Sequence, residues 1–358
     1  MGLEDELKSD CLSISDSHTN IYASSVSHGY QVGATVFTSM SKSGSTPLRI
    51  FLPAFPNNAG ELEKLADLLC TNWEALGGVD CAVRHWPETP ASCLEINWSF
   101  RTPDMSLYTR ESEETVKGQV EDTELYVDQT LATLGLCPFT KSMSRSALGL
   151  ESVGVQPGPV VIRHSGDIKA SPETTPATVL ASLYWEGVTE LIEKPETEAA
   201  TFLLVAPTEK YGDFKSFFTD CDTFIEKTNF LAPGAMGRVW FHPNYRLSEV
   251  GYQSGGHAPP LSEVDSLMDL YIESHPGAKR PGREDTERAH DITRWTPWPT
   301  INLLRPKQLE KAKENDKKEN RAKVYPRNVV RILEAEEKGE LEELIKCPFG
   351  FKGNKNAH

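Results

Sequence analysis

The chain predicts an α/β fold: a central mixed, mostly parallel sheet with flanking helices, an N-terminal α+β segment before it and a helical tail after it. Three observations predict this. The apolar runs PVVIRHS (159–165) and TFLLVAP (201–207) read as buried strands. Around them lie segments whose apolar residues recur at spacings of three and four, the period of a helix. The resulting alternation of strand and helix is that of parallel crossovers with one added strand. A thioredoxin-like arrangement has the same element order and is kept as a variant.

The elements follow in order. Residues 1–30 are polar and read as a mobile arm. QVGATVFTSM (31–40) and PLRIFLPAF (47–55), rich in branched and aromatic residues, read as strands. AGELEKLADLLCTNWEALGG (59–78) reads as a helix on Leu62, Leu65, Leu68, Leu69 and Trp73, stopped by Gly77 and Gly78. DCAVRHW (80–86) and SCLEINWSF (92–100) read as strands, closing an α+β segment over 31–110. VKGQVEDTELYVDQTLATLGL (116–136) reads as the helix that opens the central domain, 116–312.

That domain continues with the strand at 159–165, a helix at 175–194, the strand at 201–207 and a helix at 211–230. A strand over GRVWFHPNY (237–245) follows, and one over TPWPTINLLRP (296–306) completes the sheet. Between these two, residues 251–290 carry much Gly, Pro and charge. They read as an inserted, exposed loop with one short helix over LSEVDSLMDLYIES. The tail, 313–358, reads as charged helix.

Composition bounds the function. There are 358 residues, with 52 acidic against 37 basic side chains and a formal charge of −15. So acidic a chain speaks against nucleic acid and anionic membranes as partners, because phosphate contacts need clustered Lys and Arg. The first residues, MGLEDELKSD, show neither a basic start nor an apolar run, which leads us to expect a cytoplasmic protein without a signal peptide. The seven cysteines are widely spaced and include no C-x-x-C, so a metal site is not expected and the cofactor is left open.

Four residues at segment ends carry candidate chemistry. Cys137 follows a helix and precedes Pro138, and the nearby Lys141 and Arg145 would favour its thiolate, the nucleophilic form. Alternatively it is a small buried apolar residue. His242 ends a strand, where ligands collect in open α/β sheets. It reads as a general base or donor, or else as a histidine bonding its own loop, with Asn244 beside it. Arg294 and Arg305 bracket the last strand, and arginine grips carboxylate or phosphate through two parallel hydrogen bonds, or else pairs with an acid of the chain such as Asp291 or Glu310. Cys137, His242 and Arg294 are expected in one cleft, with Arg305 at the far end of its strand unless that strand is short or bent.

Three segments carry a resemblance: GLCPFTKS (135–142), WFHPNYRL (240–247) and TRWTPWPTINLLRPKQLEKA (293–312). In this order they resemble the family called domain of unknown function 1415, which shows a Cys-Pro-Phe helix end, a Phe-His-Pro-(Asp/Asn)-Tyr motif and a Pro-Tyr-Pro-Thr segment before a Leu-Leu-Arg strand end. The chain departs from that pattern at Thr293–Pro299 and in its longer 251–290 region, and its first hundred residues and tail lie outside the match. The resemblance implies a shared fold and site, and no activity. Two functions follow as expectations: a small anionic ligand bound or transformed at a Cys/His/Arg pocket, or a non-catalytic interaction module. The sequence leaves enzyme activity and oligomeric state open.

Overall fold

The computed structural model describes residues 8, 18–23, 25–44, 46–53, 59–72, 74–76, 78–85, 92–98, 107–132, 134–136, 159–196, 198–234, 236–250, 258–307, 310 and 324–341. The fold is mixed α/β and forms two compact units. The first comprises Met1–Ser112, Ser165–Glu190 and Thr219–Gly234; the second comprises Glu113–His164, Leu191–Phe218 and Ala235–His358. Both units are discontinuous in sequence.

The first unit holds strands β1 (Thr19–Tyr22), β2 (Leu48–Leu52), β3 (Val79–His85) and β4 (Ser92–Trp98) in the order β1-β2-β4-β3. β1 runs parallel to β2, and both ladders of β4 are antiparallel. Thr19–Tyr22, read from sequence as part of a mobile arm, is thus a strand: pairing with β2 satisfies backbone groups that polar side chains gave no reason to bury.

Between β1 and β2 runs helix α1 (Gly29–Ser43), where a strand was expected over 31–40. The branched residues suggested β structure, but the buried positions Val32, Val36, Phe37 and Met40 lie at helical spacing, and burial of that stripe decides. Gln31 reaches back to the backbone N–H of His28 at 3.2 Å, which caps the helix start. Helix α2 (Ala59–Thr71) packs on β3 and β4 through Leu62, Leu65 and Leu69. It ends seven residues before the expected stop.

The second unit opens with α3 (Glu113–Leu125), which runs into a π-helical stretch, Tyr126–Ala132. Strands β5 (Val160–His164), β6 (Thr201–Val205), β7 (Gly237–Phe241) and β8 (Thr300–Leu304) form one sheet in the order β5-β6-β8-β7. The four strands expected in a common sheet are therefore in it. β5–β6 is the parallel ladder, and β6–β8 and β7–β8 are antiparallel, so parallel pairing is less prevalent than expected. The first strand lies at the edge. A thioredoxin-like arrangement would place it inside, so that variant is not adopted.

Helix α4 (Pro176–Glu193) connects β5 to β6, and α5 (Phe214–Cys221) follows β6. The expected loop over 251–290 is largely helical among its described residues: α6 (Leu261–Ser274) and α7 (Arg283–Ile292) lie here. Val264, Leu267, Met268, Ala289 and Ile292 are buried, so local Gly and Pro content hid two amphipathic faces. The described tail helix α8 (Val324–Glu337) is no appendage. Val329, Ile332 and Ala335 join Tyr126, Val127, Leu203, Val264 and Met268 in one core.

Candidate functional site

The site is assembled at one end of the second sheet. The register sets His164, Val205, Thr300 and Phe241 in one row across the four strands. The carboxyl ends of β5, β6 and β7 thus meet the start of β8, the end at which open α/β sheets bind ligands.

His242 leaves β7 at this end. Its backbone N–H donates to the Arg294 carbonyl at 3.0 Å, and its carbonyl accepts from the Tyr245 N–H at 3.1 Å. The strand end and the segment entering β8 are therefore stitched together, as antiparallel neighbours must be. The imidazole is fully buried. Nε2–H donates to the Tyr211 carbonyl at 2.9 Å, and Nδ1 accepts the Asn244 N–H at 3.0 Å. Phe214, Phe217 and Phe218 surround the ring at centroid distances of 5.6, 5.8 and 6.3 Å. Burial lowers its pKa to about 4. With both nitrogens engaged, His242 has no lone pair for a substrate proton. These bonds are those of the alternative the sequence offered, a histidine that holds its own loop after β7. Asn244 takes part through its backbone, and its side chain is exposed.

Arg294 stands just past the end of α7. Its N–H donates to the Asp291 carbonyl at 2.9 Å, and its guanidinium lies over the Phe241 ring, 5.6 Å from the centroid. The residue is 5% exposed. Among the described residues its guanidinium makes no ion pair and no hydrogen bond. Around it the geometry is firmly held. Trp295 Nε1–H donates to the Tyr245 carbonyl at 3.0 Å, and Asp291 Oδ1 accepts the Leu247 N–H at 2.9 Å.

Two residues that the sequence analysis did not select complete the surroundings. The Tyr245 hydroxyl accepts the Ala258 N–H at 3.0 Å, and His290 Nε2–H donates to the Pro259 carbonyl at 3.0 Å, so adjacent backbone groups tether both rings. Burial raises the Tyr245 pKa, which keeps its O–H as a donor. Burial also lowers His290 to about 4, with the charge of Arg294 acting in the same direction. The signal for His290 was present: acidic residues in the first turn of 283–292 and a histidine in the last suit the helix dipole.

Arg305 lies at the other end of β8 and does not join the cluster. Its guanidinium donates to the carbonyls of Ala199 at 2.8 Å and Lys194 at 2.7 Å. It thereby ties down the chain after α4. Cys137, Lys141 and Arg145 lie outside the described residues. Among the described residues no group of three or more His, Cys, Asp or Glu is placed to hold a metal ion, and no helix is long and apolar enough to cross a membrane.

Comparison with family models, with curated proteins and with solved structures finds no match to this chain.

Proposed function

We propose that the second unit binds a small oxyanion, a carboxylate or a phosphate, on the Arg294 guanidinium at the carboxyl end of β7. The observation that carries this reading is the state of Arg294, 5% exposed with no anionic partner among the described residues. Burying an unpaired ion costs on the order of several kcal/mol, and a planar guanidinium fork recovers that cost best from a carboxylate or phosphate. The Tyr245 hydroxyl, already accepting from Ala258, keeps its proton available as a second donor. His242 holds the turn that presents these groups and does not exchange protons. If chemistry follows binding, Cys137 is the residue of the motif set left to supply a nucleophile or redox thiol. The same reading extends to the family that the three motifs resemble. A cytoplasmic setting fits the many thiols and the acidic charge.

The test is a titration of the full-length protein with inorganic phosphate and with citrate, followed by thermal unfolding and calorimetry. Saturable binding should appear in the wild type and be lost in Arg294→Met with the fold intact. An unchanged response in Arg294→Met sinks the proposal. Alkylation of Cys137, mapped by mass spectrometry with and without phosphate, then tests the thiol: protection places it at the site, and indifference removes it.

A further inference from the structure

In the first unit the Cys70 sulfur lies against the backbone of Cys81, and both residues are partly exposed. Cys70 lies in the last turn of α2, and Cys81 lies in β3, an edge strand of its sheet. The Cys70 sulfur accepts the Cys81 N–H at 3.0 Å and donates to the Cys81 carbonyl at 3.5 Å. In an antiparallel ladder both backbone groups of one residue point to the same side. Those of Cys81 point off the open edge, and the Cys70 sulfur covers them. Gly78, at a φ of 85°, adopts the left-handed conformation that lets the chain turn from α2 into β3 and return beside Cys70.

We propose that Cys70 and Cys81 form an oxidisable dithiol, a disulfide site independent of the Arg294 site. With one sulfur against the other residue's backbone, covalent geometry keeps the two Cα atoms within about 7 Å, at or inside the limit a disulfide can span. Accessibility separates this pair from the other described cysteines: Cys93 and Cys221 are buried, while Cys70 and Cys81 are partly exposed. Oxidation follows thiolate character and exposure, and a neighbouring resolving thiol completes a reactive pair. The oxidant is hydrogen peroxide. One thiol takes an oxygen from the peroxide, giving a sulfenic acid and one water. The second thiol then attacks that sulfur, the S–S bond forms, and the oxygen leaves as a second water. Both thiol hydrogens and two electrons pass to the peroxide. The product staples the end of α2 to the edge strand and removes the sulfur's hydrogen bonds to Cys81.

The experiment uses the reduced full-length protein, treated with hydrogen peroxide, quenched by alkylation, digested and mapped by mass spectrometry. A cross-linked peptide joining residues 70 and 81, lighter by two hydrogens than its reduced parts, is expected, while Cys93 and Cys221 remain unmodified in the folded protein. Cys70→Ser and Cys81→Ser should each abolish this cross-link and leave the remaining thiol to accumulate as sulfenic acid, trapped by dimedone. Because the wild-type map needs no variant to fold, it decides by itself. No 70–81 cross-link at peroxide levels that oxidise either thiol, or pairing of either with another cysteine in its place, overturns the proposal, as does complete inertness of both thiols.

Discussion

The two sheets share one plan and hold opposite kinds of buried arginine. In each, the first strand pairs in parallel with the second, the second is antiparallel to the fourth, and the fourth is antiparallel to the third. In the first sheet Arg49, 8% exposed, sits directly opposite Glu95 in the β2–β4 ladder and donates to one carboxylate oxygen at 2.9 and 3.2 Å. His18 reaches the same oxygen at 3.2 Å. In the second unit Arg294 is equally buried, and among the described residues no carboxylate pairs with it. The difference lies in the connection between third and fourth strands. Six residues, 86–91, join β3 to β4, whereas 242–299 join β7 to β8 and carry α6, α7, Tyr245, His290 and Arg294. A common ladder is the scaffold, and the long connection supplies the chemistry, as loops on rigid sheets commonly do.

The largest expected effect breaks the paired arginine. Arg49→Met leaves the Glu95 carboxylate buried without its cross-strand partner and should lower stability by about 3–5 kcal/mol, read from the urea midpoint. A loss below about 1 kcal/mol would mean that the pair is solvated and that the contrast with Arg294 is empty.

Acid provides the next test. His242 and His290 both sit at about 4 against an ordinary 6.5, chiefly through burial. Between those values the unfolded chain takes up protons that the folded unit refuses, so stability rises with pH across the window and falls as acid is added. Each histidine should contribute about 3 kcal/mol to the loss between pH 6.5 and 4. Replacing His290 by Gln, which keeps an N–H for Pro259, should halve the slope. A slope that does not change would locate the acid sensitivity elsewhere.

A smaller effect is expected within the first unit, where α1 meets α4. A Cβ on Gly33 would stand 2.5 Å from the Trp185 ring, so only hydrogen fits there. Gly33→Ala should cost about 1–3 kcal/mol by overpacking, despite the gain in helix propensity. A stabilised variant would show that the two helices can separate at no cost.

The smallest change in stability is expected for Arg294→Met. Removing a buried charge that has no ion-pair partner among the described residues should leave the midpoint within about 1 kcal/mol of wild type, or raise it. Measured in phosphate-free buffer beside Arg49→Met, it gives the comparison its sharpest form. Strong destabilisation would mean that Arg294 has a structural partner.

Local pattern made much of this architecture legible. The runs at 159–165 and 201–207 read as strands and are strands, fully buried at Thr201–Val205 but half-buried over Val161–Arg163 because β5 lies at the sheet edge, and the stitching of His242 to Arg294 follows from antiparallel neighbours meeting at one sheet end. The roles of those residues were not legible. Whether a histidine is a base or a brace depends on who holds its nitrogens, and for His242 these are Tyr211, 31 positions away, and its own Asn244. Arg305 looked like Arg294 in sequence until the carbonyls of Lys194 and Ala199 claimed it.

By itself the sequence determined the mixed α/β class, most strands of both sheets and the acidic charge, because burial period and composition are local properties. Tertiary structure alone decided that Val32, Val36 and Met40 belong to a helix, that 258–292 folds into the second unit, and that Arg49 has a buried carboxylate against it whereas Arg294 has none among the described residues. These outcomes turn on contacts between residues far apart in sequence, whose desolvation and pairing energies exceed the local preferences of any short segment.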